Sequence, residues 1–330
     1  MYRSGNTPQT GVSGSGHLRV FRPCRAVRSP AATSVPEPVQ HAGSWSVRDA
    51  SVSLADPIVM GIVNVTPDSF SDDGATVDPD AAVEAAIDMA NSGAAIIDVG
   101  GESTRPGASL VSLDEELDRV IPVIERISSH GLLVSVDTSK AHVARQAIEA
   151  GAAIVNDVTG LEDPRMRDVC AESGAGVVVM HMQGTPRTMQ RNPQYDDVVS
   201  EVKEFLLERA ASAVAAGISS DSIVIDPGIG FGKTFDHNIE LMLNLDEFCD
   251  SGYPVLVGTS RKGFLGRILE PIRGRTSPEQ RDGATAATIA LSVAAGAKIL
   301  RVHNVPFAIE VAHTAKAMVP QDDGKETNRT

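Results

Sequence analysis

Eight short runs rich in β-branched residues, each followed by a helical pattern, constrain the fold of this chain more than any other feature. The runs lie at 58–63, 95–99, 132–136, 153–156, 177–180, 223–225, 255–258 and 298–302. Helical patterns are clear at 79–92, 113–128, 140–150, 164–173 and 196–216. Gly93, Gly151, Gly174, Gly217, Gly252 and Gly296 stand where a left-handed residue would stop a helix before the next buried strand. Such alternation gives either an open doubly wound sheet or a closed barrel. Two observations favour closure. The count is eight, and polar residues follow nearly every run, whereas an open sheet gathers its ligands at one switch point. The expected fold is α/β, a single (β/α)8 TIM barrel over residues 56–320. A flexible, disordered extension over 1–55 and a polar tail over 321–330 are expected to flank it.

Composition narrows the partners. Residues 1–55 carry six Arg against Glu37 and Asp49, a net of +4, which leaves −18 for the remainder of a chain whose formal charge is −14. An acidic body argues against nonspecific nucleic-acid binding, so any anion must be held by a few local cations. Cys24, Cys170 and Cys249 are far apart and lack metal-ligand spacing, which fits a reducing cytoplasm. The most apolar long stretch, 284–300, is broken by Thr285, Thr288, Ser292 and Lys298 and reads as a buried helix followed by a strand, not a membrane span. The extension combines Gly, Ser, Pro and Arg without sustained periodicity. It is acid-poor, but it has neither an apolar secretory core nor a convincing amphipathic helix.

The residues after the runs carry the chemistry. A long polar loop begins at Asn64, and its length suggests a flap. Asp98 leads into Gly100-Gly-Glu-Ser-Thr-Arg-Pro-Gly107, where Arg105 offers a fork for an anion or for a neighbouring carboxylate. The third run ends in Asp137 and the fourth in Asn156. An Asp can accept two N–H bonds from an amino-pyrimidinone edge beside an Asn that both donates and accepts, yet either residue could simply cap a helix. His181 is at least as easily structural as functional. Asp226-Pro-Gly-Ile-Gly-Phe-Gly-Lys233 fails as a P-loop, because Pro227 stands where Gly is needed, and as a dinucleotide fingerprint, because of Lys233. It reads as a loop that bares backbone N–H groups and presents Asp226 and Phe231 to a planar ligand. Ser260 is not a nucleophile elbow, since Lys262 replaces the required Gly. Lys262 is either an electrostatic clamp or a Schiff-base amine. Arg301 and His303 share one side of the last strand and suit a diphosphate.

Together, Asn64-Val-Thr-Pro-Asp-Ser-Phe-Ser, Gly101-Glu-Ser-Thr-Arg-Pro-Gly, Asn156-Asp, Asp226-Pro-Gly-Ile-Gly-Phe-Gly-Lys, Ser260-Arg-Lys-Gly and Arg301-Val-His resemble the motif set of the dihydropteroate synthase family, over nearly all of residues 56–319. The resemblance implies condensation of 6-hydroxymethyl-7,8-dihydropterin diphosphate with p-aminobenzoate, with loss of pyrophosphate, in folate biosynthesis. It implies that Asp137, Asn156 and Asp226 hold the pterin edge with Lys262 nearby, and that Asn64 binds Mg2+ with the diphosphate, which Arg301 and His303 clamp. Thr104, Arg105, Ser260 and Lys262 would organise loops and aminobenzoate, with Phe70 and Phe231 walling its ring. Asp226, Lys262, Arg301 and His303 are the expected catalytic groups, and a homodimer is the family's habit. One position departs from the pattern: Asn304 stands where Asp is more usual, which puts in question how the His303 loop is held.

Three rivals define the tests. A pterin-binding methyltransferase would share the pterin groups without needing the Arg105, Arg301 and His303 clamp. A Schiff-base lyase would use Lys262. A noncatalytic paralogue would bind pterin and form no product. For the catalytic reading, alanine at Lys262 or Arg301 is expected to cost far more in turnover than in folding.

Overall fold

The computed structural model describes residues 43–66, 78–104, 107, 108 and 110–319. An antiparallel pair, β1 (Ser44–Val47) and β2 (Ala50–Ser53), precedes β3 (Ile58–Asn64), α1 (Pro79–Asn91), β4 (Ile96–Gly100) and α2 (Leu113–Ser129). Then come β5 (Val134–Asp137), α3 (Ala141–Glu149), β6 (Ile154–Asp157), α4 (Pro164–Ser173), β7 (Gly176–Met180), α5 (Val198–Ala215) and β8 (Ile223–Asp226). The chain continues through α6 (Phe235–Leu243), α7 (Asp246–Cys249), β9 (Leu256–Val257), α8 (Gly263–Arg273), α9 (Asp282–Ala294), β10 (Ile299–Val302) and α10 (Val305–Met318).

Several helices start where a side chain satisfies one or more of their first N–H groups. Asp78 caps α1 ahead of Pro79, Ser112 caps α2 ahead of an acidic first turn, and Asp197 accepts from both Val199 and Ser200 at α5. The six glycines expected to stop helices all take positive φ, from 67° to 112°. Eight parallel strands follow the order β8-β7-β6-β5-β4-β3-β10-β9. A parallel bridge between Ile225 and Val255, with Ile225 N–H donating to Pro254 at 3.0 Å, joins the two ends. The sheet is therefore the expected barrel. Its β9 is shorter than the sequence suggests, because Pro254 brings no N–H to the ladder and Gly258 already turns into the next loop.

The expectation of a disordered segment reaching to residue 55 fails for residues 43–55. Trp45 and Val47 are wholly buried, and Trp45 Nε1 donates to the Ser222 carbonyl at 2.9 Å. They join Leu54 and one residue from each of seven barrel strands, Met60, Ile96, Ile154, Val178, Val224, Leu256 and Ile299, in one buried cluster. Gly176 makes room for this plug: a Cβ there would lie 2.5 Å from Val47. Residues 1–42, and the tail from 320 onward, lie outside the described residues. A second, larger apolar layer separates strands from helices. No helix among the described residues is long and apolar enough to cross a membrane.

Candidate active site

Parallel register brings the carboxyl ends of the strands level with one another. Asn64 pairs with Gly100, Gly100 with Asp137, and Asp137 with Asn156. Asp98, Asn156, Asp226 and Arg301 come from alternate strands β4, β6, β8 and β10, which in such a barrel contribute to one interior layer, usually apolar. Here it is ionic. Arg301 Nε donates to Asp98 Oδ2 at 2.6 Å and Nη2 donates to Asp137 Oδ2 at 2.6 Å, while Asn156 Nδ2 donates to Asp98 Oδ2 at 3.1 Å. Two of the five guanidinium N–H groups are thus committed to carboxylates, which leaves three for a ligand.

Asp98 was not among the predicted site residues. It is fully buried, and its Oδ1 has no hydrogen-bond partner among the described residues. A carboxylate in the middle of Ile96-Ile-Asp-Val-Gly is a signal in itself, since a buried charge has to be paired. The network also revises the expectation for Arg301→Ala, whose removal would strand two buried carboxylates as well as a ligand contact. Burial pushes the Asp137 carboxyl up to about 7 against the pull of Arg301, with Asp98 adding to the rise. Burial likewise raises Asp226, whose Oδ1 accepts the Gly228 N–H at 2.7 Å.

The Asp226–Lys233 loop owes its glycines to close packing. Gly228 has φ of +67°, and a Cβ there would sit 1.9 Å from the His181 carbonyl oxygen. At Gly230, φ is +87° and a Cβ would stand 3.0 Å from Lys262 Cδ. Phe231 packs with Val158, Met180 and Met189, and Lys262 Nζ lies 3.8 Å above its ring centroid. Burial, with repulsion from Arg301, brings the Lys262 ammonium down to about 7 while Asp226 and Asp137 oppose the fall. The structure gives His181 a structural partner in Lys233, a residue considered in the sequence only for the fingerprint it breaks. The buried Lys233 Nζ lies 2.9 Å from His181 Nδ1 and donates to the Phe231 carbonyl at 3.0 Å. Burial drives the His181 imidazolium down to about 2, so the ring is neutral beside the lysine.

Two further loops complete the cavity. Glu102 accepts from Val111 N–H at 3.1 Å and from Lys140 Nζ at 2.5 Å, and Lys140 also donates to the buried Glu116. These bonds span the loop that carries Thr104. Ser260 Oγ lies 2.9 Å from His303 Nδ1 and accepts the His303 N–H at 3.2 Å. The cavity of about 1020 Å3 is lined by Asn64, Thr104, Asp137, Phe231, Ser260, Lys262, Arg301 and His303. A small adjoining recess is walled by Asn156 and Asp226 with Asp137, Phe231, Lys262 and Arg301. Of the predicted residues, Phe70 and Arg105 lie outside the described residues.

Among the described residues no group of three His, Cys, Asp or Glu side chains could hold a metal. The half-buried Asn64 amide lines the cavity with Arg301 and His303 and supplies one neutral oxygen donor. That donor set fits an ion such as Mg2+ that arrives with oxygens from a phosphate ligand and keeps several waters.

The pterin-binding enzyme family model matches residues 60–303, from the third residue of β3 to the cavity histidine. The dihydropteroate synthase of Escherichia coli K12 is 45% identical over 276 residues, 83% of this chain and 96% of that protein. The Bacillus subtilis 168 enzyme of the same name is 48% identical over 263 residues, 79% and 87% of the two chains. Solved structures of Xanthomonas albilineans dihydropteroate synthase superpose over 84% of this chain and all of theirs. The one with 4-aminobenzoic acid gives a TM-score of 0.77 at 45% identity, and the one with 7,8-dihydropteroate a TM-score of 0.74 at 41%. The chain belongs to the dihydropteroate synthase family.

The position at which it departs from the family pattern has a local explanation. Asn304 Oδ1 accepts the Phe307 N–H to cap α10, and its Nδ2 donates to Asp282 Oδ2 at 2.9 Å. An ionised Asp at 304 could accept the first bond but could not donate the second. The loop that carries His303 is therefore held by a neutral amide.

Proposed function

We propose that the chain condenses 6-hydroxymethyl-7,8-dihydropterin diphosphate with p-aminobenzoate to give 7,8-dihydropteroate and pyrophosphate in folate biosynthesis, as a transferase. The observation that carries this reading is the ionic interior layer of the barrel, set beside a cavity large enough for a second substrate. Asp226 accepts N–H bonds from the amino-pyrimidinone edge, with Asn156 and Asp137 beside it and Phe231 against a ring. The remaining Arg301 N–H groups, His303 and Lys262 face the diphosphate. Asn64 would hold Mg2+, which when bound offsets charge on the leaving oxygens. As the C–O bond breaks, its electron pair leaves with the diphosphate and the pterin methylene becomes cationic, a charge that the Asp226 carboxylate steadies. The arylamine nitrogen forms the C–N bond and then gives up one proton, which the released pyrophosphate or solvent takes. No residue need form a covalent intermediate. Thr104, Arg105, Ser260 and Lys262 would organise the aminobenzoate, with Phe70 against its ring.

The direct test is pyrophosphate release that requires both the pterin diphosphate and p-aminobenzoate, and that is lost when Mg2+ is chelated. Release without p-aminobenzoate would replace condensation by hydrolysis, and no release at all would sink the reading in favour of a methyltransferase or a noncatalytic relative. Lys262, brought down to about 7, has the property a Schiff-base amine needs. Borohydride trapping with a carbonyl compound leaves Lys262 unmodified if the condensation reading holds.

The finer claims have separate support. Leu243, Ile268, Ile272 and Leu291 stand exposed on α6, α8 and α9, and α9 packs against both of the other helices, a surface suited to a second copy. Sedimentation should give twice the chain mass, and a monomer at micromolar concentration would refute the dimer. A cytoplasmic setting fits the free thiols of the buried Cys170 and the half-buried Cys249, both pushed up to about 12 by loss of solvent, and cell fractionation checks it.

A further inference from the structure

We infer that one face of α9, carrying Asp282, Thr285 and Thr288, is the positioning element that sets Ser260, Lys262 and His303 for the proposed condensation, on which the inference rests. Three residues spaced by three fall on one side of a helix. Thr285 and Thr288 are buried and Asp282 is half-buried, so this polar stripe is not a solvated face.

Each member holds part of the turn after β9. Thr288 Oγ1 lies 2.7 Å from Thr259 Oγ1, and Thr285 Oγ1 accepts the Arg261 N–H at 3.2 Å. Asp282 accepts from Arg261 Nε at 3.0 Å and from Arg261 Nη2 at 3.3 Å. The next residue upstream contributes too, since Arg281 Nη1 donates to the Arg261 carbonyl at 2.9 Å.

The grip has a purpose in the backbone. Arg261 stands at φ 60°, a left-handed conformation that is strained for a residue bearing a side chain. The residues on either side of it, Ser260 and Lys262, both line the cavity. Released from α9, the turn would relax toward right-handed values and carry one of the two out of register with the ligand space. The same Asp282 carboxylate accepts from Asn304 Nδ2, next to His303, and Ser260 bonds His303 directly. One carboxylate thus spans the loops after β9 and β10. Asp282 is not among the residues that line the cavity, so it acts through the residues it holds.

The test is steady-state kinetics of Asp282→Ala and Asp282→Asn in the full chain, each with a thermal unfolding curve. A misplacement of this kind is expected to lower kcat on the order of tenfold to a hundredfold for alanine and less for asparagine. Neither KM should rise as much as kcat falls, and Tm should move by only a few degrees. In a cycle with Arg261→Ala, the double variant should lose less than the product of the single losses. Turnover within about twofold of wild type, losses that multiply, or activity that merely tracks the folded fraction would each overturn the inference. Asp282→Asn is also expected to move the NMR signals of the His303 imidazole. If wild type releases no pyrophosphate, the proposed reaction fails instead, and unmoved His303 signals then reject the positioning role independently.

Discussion

Arg301→Ala should lose stability by about 3–5 kcal/mol and turnover together, because it leaves the Asp98 and Asp137 carboxylates buried without their cation. The deficit should depend on pH. Burial already holds the folded Asp137 pKa up to about 7, far above its unfolded value, so the protonated acid is favoured in the folded chain. A raised carboxyl pKa contributes stability at low pH that is lost as pH rises through about 7. Removing Arg301 takes away the main opposing pull and raises the pKa further. Urea midpoints should therefore diverge most from wild type above pH 7 and converge toward pH 5. A variant with the wild-type midpoint at pH 8 would show that the fork contributes nothing to folding.

Lys262→Ala should behave in the opposite way, with kcat/KM for the pterin diphosphate falling roughly 10²–10³-fold and the fold unharmed. Lys262 makes no ion pair among the described residues, and its ammonium is brought down to about 7 chiefly by loss of solvent, so deleting it relieves a poorly solvated charge. If the cation is what acts, wild-type kcat/KM should fall as pH rises through about 7, since that ratio reports the free enzyme. Lys233 is also lowered to about 7, so the limb needs assigning. In Lys262→Arg the guanidinium stays charged, and the limb should disappear if it belongs to Lys262. Near-normal turnover in Lys262→Ala would remove this residue from the chemistry.

The barrel was legible because its signal is local. Each β-branched run and each helix stop can be read within about ten residues. The strand-end residues were legible for the same reason, since a polar side chain just past a strand points to the face where loops gather. Partners were not. Arg301 meets residues 203 and 164 positions away, and Lys233 meets one 52 away, distances over which no periodicity speaks. The Ser44–Val47 strand does alternate, with Trp45 and Val47 inward, but an isolated hairpin of two four-residue strands has little stability of its own. Only the barrel floor beneath it makes the pattern meaningful. Thr285 and Thr288 looked like interruptions of an apolar helix, whereas both are hydrogen-bonded within the fold.

The seam between β8 and β9 has a mechanical consequence. Every other joint of the cylinder is a ladder of at least two paired positions, while this one has a single bridge below the level of the ligand groups. Above the bridge, Asp226 rises from one side and Lys262 from the other, with Phe231 and the Gly230 backbone in contact with the lysine. Where the backbone stitching thins out, side chains of the site meet across the seam. The last joint of the cylinder and the place where a flat ring would lodge are thus the same stretch of wall.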